Sequence, residues 1–267
     1  MIDIGANLAH ESFHDDLEAV VARATAAGVE HIVLTGSCAE SNARTLALAR
    51  AQPHLLSCTH GLHPHHAEQW NEGLAGQIRT GATAPECRAV GECGLDYFRD
   101  LAPRDAQQRA FRAQLDIAVE TGAPVFLHQR DAHDDFVAIL REYRPHLPGA
   151  CVHCFTDTVE ALDDYLALDC HVGITGWICD ERRGTALVEA AARIPDDRLM
   201  IETDAPYLLP RNLPRALRKS AGRRNEPSFL PWVRDRLAEA RDQTPDEVAA
   251  ATTRNARVFF GLEPAAT

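Results

Sequence analysis

The stretch Gly122-Ala123-Pro124-Val125-Phe126-Leu127-His128-Gln129-Arg130 sets a short apolar run between two polar segments and ends that run on a histidine. Pro124 to His128 has the length of a strand. Upstream, Arg104 to Glu120 carries helix formers and is followed by Gly122, the residue that a helix C-cap favours. Downstream, Ala132 to Tyr143 reads as another helix. Helix, apolar run and helix in succession are the signature of parallel βα units.

Working outward, the same kind of run recurs at Ile2 to Leu8, His31 to Gly36, Leu55 to Gly61, Arg88 to Glu92, Cys151 to His153, His171 to Thr175 and Arg198 to Asp204. Phe13 to Ala27 supplies a further helix, with Gly28 at its C-terminal end. Eight strand-helix units predict a closed TIM (β/α)8 barrel. A doubly wound sheet would show fewer strands and a Gly-rich phosphate turn after the first, and neither a G-x-G-x-x-G nor a Walker pattern occurs. A length of 267 residues suits one barrel, so residues 1–267 are read as a single domain. The tail from Glu226 to Phe260 predicts two more helices, the second with Thr244 as N-cap and Pro245 at its first position.

In such a barrel, active-site groups project from the C-terminal ends of strands, so a polar residue that closes an apolar run is informative. Four runs close that way, on Glu92, His128, His153 and Asp204. Burying unpaired carboxylates and imidazoles together costs several kcal/mol by order of magnitude, and a shared cation removes that cost. The mixed nitrogen and oxygen set suits Zn2+, Mn2+, Fe2+ or a well-hydrated Mg2+, and ligand type alone does not choose.

The formal charge of -12 excludes an extensively basic surface for coating nucleic acid. Local charge points the other way at Arg211 to Arg224, where Arg211, Arg215, Arg218, Lys219, Arg223 and Arg224 stand with no acidic residue among them. This segment is read as a phosphate clamp near the mouth, with Trp177 and Tyr207 as aromatic partners for unpaired bases. Its competitor is a solvated charge run. Eight cysteines, several inside apolar runs and with no secretory leader before them, predict free thiols in a reducing, cytoplasmic compartment. No apolar run approaches the roughly 20 residues of a membrane span.

The strings Gly61-Leu62-His63-Pro64-His65, Gly91-Glu92-Cys93-Gly94-Leu95-Asp96, Phe126-Leu127-His128-Gln129-Arg130-Asp131-Ala132, Val152-His153-Cys154-Phe155-Thr156 and Ile201-Glu202-Thr203-Asp204-Ala205-Pro206-Tyr207-Leu208 resemble the TatD family of metal-dependent deoxyribonucleases. The matching stretches lie between Asp3 and Gly261. The resemblance implies a TIM barrel of the amidohydrolase type and a divalent metal, Mg2+ first, with Mn2+ and Zn2+ as the other candidates. It further implies a 3′-to-5′ exonuclease acting on single-stranded DNA and also on RNA, and a monomer. By the same resemblance Glu92, His128 and His153 are metal ligands, and Asp204 is a ligand or the base that activates water.

One departure stands out. By the same resemblance most relatives open with an Asp-x-His-x-His pattern on the first strand, whereas this chain has Asp3-Ile4-Gly5-Ala6-Asn7. Both imidazoles are missing, and with them the expectation of a permanently filled second metal site. His63 and His65 are read as phosphate donors or a general acid, against the alternative of a loop pinned by Pro64. Asp96 is assigned to holding Arg130 or a histidine, and Arg130 to phosphate or to a salt bridge with Asp131 or Asp96. Two other functions compete with the nuclease: a metal-dependent amidohydrolase or deacylase of a small molecule, and a noncatalytic scaffold. The basic segment argues against the first, and the four ionisable strand ends against the second.

Overall fold

Eight parallel strands hydrogen-bond in chain order: β1 (Ile2–Ala6), β2 (His31–Leu34), β3 (Leu56–His60), β4 (Cys87–Asp96), β5 (Val125–Arg130), β6 (Ala150–Val152), β7 (His171–Ile174) and β8 (Leu199–Ile201). A parallel bridge from Ala6 to Ala205 links β1 to the segment after β8, giving the strand order of a (β/α)8 barrel. The structure is a computed structural model, and it describes residues 1–182 and 184–262. Helices follow the strands as α1 (Leu17–Ala26), α2 (Ala39–Ala51), α3 (Glu72–Ala82), α4 (Arg104–Thr121), α5 (His133–Tyr143), α6 (Val159–Ala167), α7 (Thr185–Arg193), α8 (Arg215–Ala221), α9 (Leu230–Arg241) and α10 (Pro245–Phe260). Among the described residues no helix is long and apolar enough to cross a membrane.

Contacts divide the chain into two units. One comprises Met1–Val33, Cys154–Leu162 and Val172–Thr267, and the other Leu34–His153 and Asp163–His171. In the first unit β7 pairs with β8 from Val172 opposite Leu199 to Ile174 opposite Ile201. Helix α10 starts with the capping box of Thr244 and Glu247 and ends at Gly261 in the left-handed region. Asn255 on that helix donates to the carbonyls of Asp196 and Leu199, which fixes it against the start of β8.

The second unit holds β3 to β6. Strand β4 runs to Asp96, past the expected end at Glu92, and its pairing with β5 shifts register between Val90 and Cys93. Two glycines permit this. Gly91 at φ 142° and Gly94 at φ 148° lie so close to β5 that a Cβ would fall 2.1 Å from the Phe126 carbonyl oxygen and 1.8 Å from that of His128. Side chains are excluded at both positions, and the irregularity between them aims Glu92. The two helices expected in the tail are present, and the basic segment before them contains another, α8, none of whose residues is buried.

Candidate metal centre

Glu92 on β4 gathers three imidazoles of its own unit. His153, which follows β6, has Nε2 2.8 Å from Glu92 Oε1. His128 on β5 has Nδ1 3.0 Å from the same oxygen, and His63 has Nε2 at 3.4 Å. Ligand atoms of His63, Glu92 and His128 all lie within 4.8 Å of one another. Their side chains are only 12%, 9% and 18% exposed.

A second carboxylate backs the first. Asp96, also on β4, places Oδ2 2.7 Å from His65 Nε2 and 3.3 Å from His128 Nε2. His128 therefore stands between two carboxylates, one on each ring nitrogen, which orients the ring. Burial pushes Glu92 upward, but the imidazoles of His63 and His153 and the hydrogen bonds from His128 and His153 outweigh it and hold the carboxyl well below its ordinary range. Burial likewise raises Asp96, and hydrogen bonds from His128, His65 and the Arg99 backbone more than reverse that. Burial also opposes charge on His128, yet its bonds to Asp96 and Glu92 raise it. His63 moves down to about 4 because burial dominates, so it is a neutral ring near pH 7, with Nδ1 accepting from the His65 N–H at 3.1 Å and Nε2 turned to Glu92.

Backbone around these side chains is held by buried amides that the sequence did not single out. Asn42 on α2 donates to the Gly61 carbonyl at 3.0 Å and accepts from its N–H at 3.2 Å. Gln114 on α4 accepts from Leu62 N–H at 2.6 Å and donates to its carbonyl at 3.1 Å. Gln107, two turns earlier, accepts from Asp96 N–H at 2.8 Å and donates to its carbonyl at 3.2 Å. The His63 turn and the end of β4 thus hang on one helix. Their only trace in the sequence is a pair of glutamines seven apart on an apolar helix face.

The first unit carries the other expected groups. Asp204 sits after β8 at φ 54°, with its N–H donating to Gly5. Asn7, in the position of a missing first-strand histidine, donates from Nδ2 to Asp204 Oδ1 at 3.2 Å. Asp3 accepts from the Thr203 hydroxyl and N–H and from Gly5 N–H, and burial still pushes its carboxyl up to about 7. Glu202 is fully buried and accepts from the Cys154 N–H at 2.5 Å. Tyr207 is exposed, with the His10 ring 5.9 Å away.

The basic segment splits in two. Arg211 pairs with Asp180 at 3.1 Å and Arg224 with Asp16 at 2.7 Å, so both are committed to structure. Arg215, Arg218, Lys219 and Arg223 are exposed and make no ion pair among the described residues. Of the residues assigned from sequence, His63, His65, Glu92, His128, His153 and Arg130 come together in one unit, and Asp204, Tyr207, Arg215, Arg218 and Arg223 belong to the other. His63, read as a phosphate donor, lies among the ligand atoms. Arg130 has its guanidinium carbon 4.3 Å from the centre of the Phe98 ring.

Imidazoles and a carboxylate converging on one point are the donors that bind divalent cations, and their shared burial is explained by such an ion, so the residues fit a divalent metal. Comparison with known proteins agrees. Residues 2–261 match the family described as TatD related DNase. The 3'-5' ssDNA/RNA exonuclease TatD of Pantoea vagans is 47% identical over 263 residues, 98% of this chain and 100% of that protein. Its namesake in Pectobacterium carotovorum is 48% identical over 262 residues, again 98% and 100%. The crystal structure of a TatD homologue from Escherichia coli matches with a TM-score of 0.90 at 30% identity, covering 98% of each chain. This chain belongs to the TatD-related DNase family.

Proposed function

We propose that the protein is a divalent-metal-dependent nuclease that removes nucleotides from the 3′ end of single-stranded DNA and RNA. The observation that carries the reading is the approach of His63, His128 and His153 to one oxygen of Glu92. Its relatives' names, exonucleases of the same polarity at 47% identity, supply the substrate.

Glu92, His128 and His153 would hold the ion, with His63 as a further donor. When bound, the cation neutralises a nonbridging phosphate oxygen and makes a water molecule more acidic. The remaining work belongs to the chain. Glu92, kept ionised, holds its negative charge among the imidazoles. His65, braced by Asp96, donates to phosphate or protonates the leaving oxygen. We assign Asp204 the role of accepting the water's proton on the strength of its Glu202-Thr203-Asp204-Ala205-Pro206 motif. Arg130 and the unpaired Arg215, Arg218 and Arg223 bind backbone phosphates, and Tyr207 offers a ring to a base. We assign Mg2+ on the family resemblance, and the imidazole-rich set makes Mn2+ and Zn2+ the ions to compare with it. We further propose a monomer, acting as one catalytic domain. Cysteines that sit mostly buried as small apolar groups suit a reducing cytoplasm.

The test is digestion of a 5′-labelled single strand with each metal. Stepwise shortening from the 3′ end, stopped by chelation and by His128→Ala, is the expected result. An oligonucleotide left intact by metal-loaded protein ends the nuclease reading.

A further inference from the structure

The segment joining β4 to α4 presents Phe98 to solvent with 55% of its surface exposed. A single exposed aromatic is ordinary, so its surroundings decide what it means. The loop that carries it is fixed. Asp96 Oδ1 accepts the Arg99 N–H at 2.7 Å, and Gln107 holds both backbone groups of Asp96 while donating to the Ala102 carbonyl at 2.8 Å. Phe98 lies between these anchored points and is not a ring on a loose tether.

Its position is equally specific. Asp96 and Arg130 are paired partners across β4 and β5. Asp96 contacts His65 and His128, and Phe98 is two residues further on, within about 7 Å of chain. Arg130 comes from the strand that carries His128 and lays its guanidinium over the Phe98 ring at 4.3 Å. A planar cation against a ring is a cation–π contact, and its fork of N–H donors also suits phosphate. One unit therefore contains the ligand cluster, a cation and an exposed ring, with Glu92, His128 and Arg130 on β4 and β5 and Phe98 in the turn after β4.

We infer that Phe98, backed by Arg130, is a stacking platform for an unpaired nucleobase next to the metal centre. The inference rests on the nuclease reading and deepens it by giving its preference for single strands a residue: a ring face takes a base only when that base is free of its neighbours. Every base has a π-face, so the platform is tolerant of sequence. Tyr207, equally exposed, belongs to the other unit, whereas Phe98 shares its unit with Glu92.

The experiment measures binding of a fluorescent oligothymidylate in chelator, where no cleavage occurs, by anisotropy. Phe98→Ala weakens binding roughly ten-fold, the scale of one lost base stack, and Phe98→Trp preserves it. On the same strand made abasic at its 3′-terminal nucleotides the alanine variant and the parent bind alike. Equal affinity of Phe98→Ala and parent on the intact strand overturns the platform, as does an equal loss on the abasic one. Failure of the metal-loaded parent to cleave removes the nuclease reading instead, so the two failures are separate.

Discussion

His65 Nε2 lies 2.7 Å from Asp96 Oδ2, the shortest approach of an imidazole to a carboxylate around Glu92. The carboxylate has a second task, since its Oδ1 closes the Arg99 turn. Asp96→Asn keeps that acceptor and discards the charge. It is expected to lower kcat about 10- to 100-fold, the range for losing a carboxylate that orients a working histidine. Steady-state rates beside a melting curve close to the parent's check it, and an unchanged kcat would reduce Asp96 to a strut.

His63 stands where its role can be decided. Its Nε2 is 3.4 Å from Glu92 Oε1 and within ligand range of His128. As a metal donor, His63→Ala should weaken Mn2+ binding in calorimetry by more than the roughly ten-fold typical of outer-shell changes. As a phosphate donor alone, it would leave metal affinity intact and raise KM. We expect the first outcome.

The exposed cations Arg215 and Arg218 of α8, and Arg223 just after it, should appear in salt dependence. Each phosphate contact on a single strand contributes about -0.7 to the slope of log affinity against log salt. Replacing Arg215, Arg218 and Arg223 with glutamine should therefore flatten the slope by up to roughly two units. Stability should stay the same, because all three side chains are exposed. A slope equal to the parent's assigns these side chains to solvent.

His60 predicts an effect away from the site. It is 4% exposed, neither ring nitrogen has a hydrogen-bond partner of good geometry among the described residues, and burial, helped by Arg50 and opposed by the Asn42 backbone, lowers its pKa below the ordinary 6.5. A histidine whose folded pKa is depressed takes up its proton more readily when unfolded, so stability falls as pH drops below about 6.5. Glu86, paired with Arg50 at 3.6 Å, is the other charge on this side. His60→Leu should be about 1–3 kcal/mol more stable at neutral pH, by removing the unpaired polar atoms. It should also lose less stability between pH 7 and pH 5 in urea titrations, and parallel losses would contradict the account.

Much of this architecture is legible in the chain. The apolar run before His128 and the glycine behind α4 announce a βα unit, and seven similar runs leave few folds to consider. Glu92, His128 and His153 are visible because each closes such a run. The end of β4 lies beyond what the sequence predicts for a physical reason: Gly91 and Gly94 look like strand breakers, yet they let two backbones approach until pairing extends to Asp96. His63 reads from the chain only as a phosphate donor or general acid, because a turn residue carries no strand parity from which a place among the ligand atoms can be inferred. Asn42, Gln107 and Gln114 stayed hidden because amides on helices ordinarily face water. Only the partner backbone, 19 to 52 residues away for Asn42 and Gln114, gives them a task.

Gln107 and Gln114 are separated by seven residues, about 10.5 Å along a helix axis, and each grips a different loop of the reaction centre. Helix α4 is in effect a ruler on which the spacing of those loops is marked. Adding or deleting one residue between the two marks would swing the amides apart by roughly 100°. Natural length variation should accordingly collect in other helices and avoid this one.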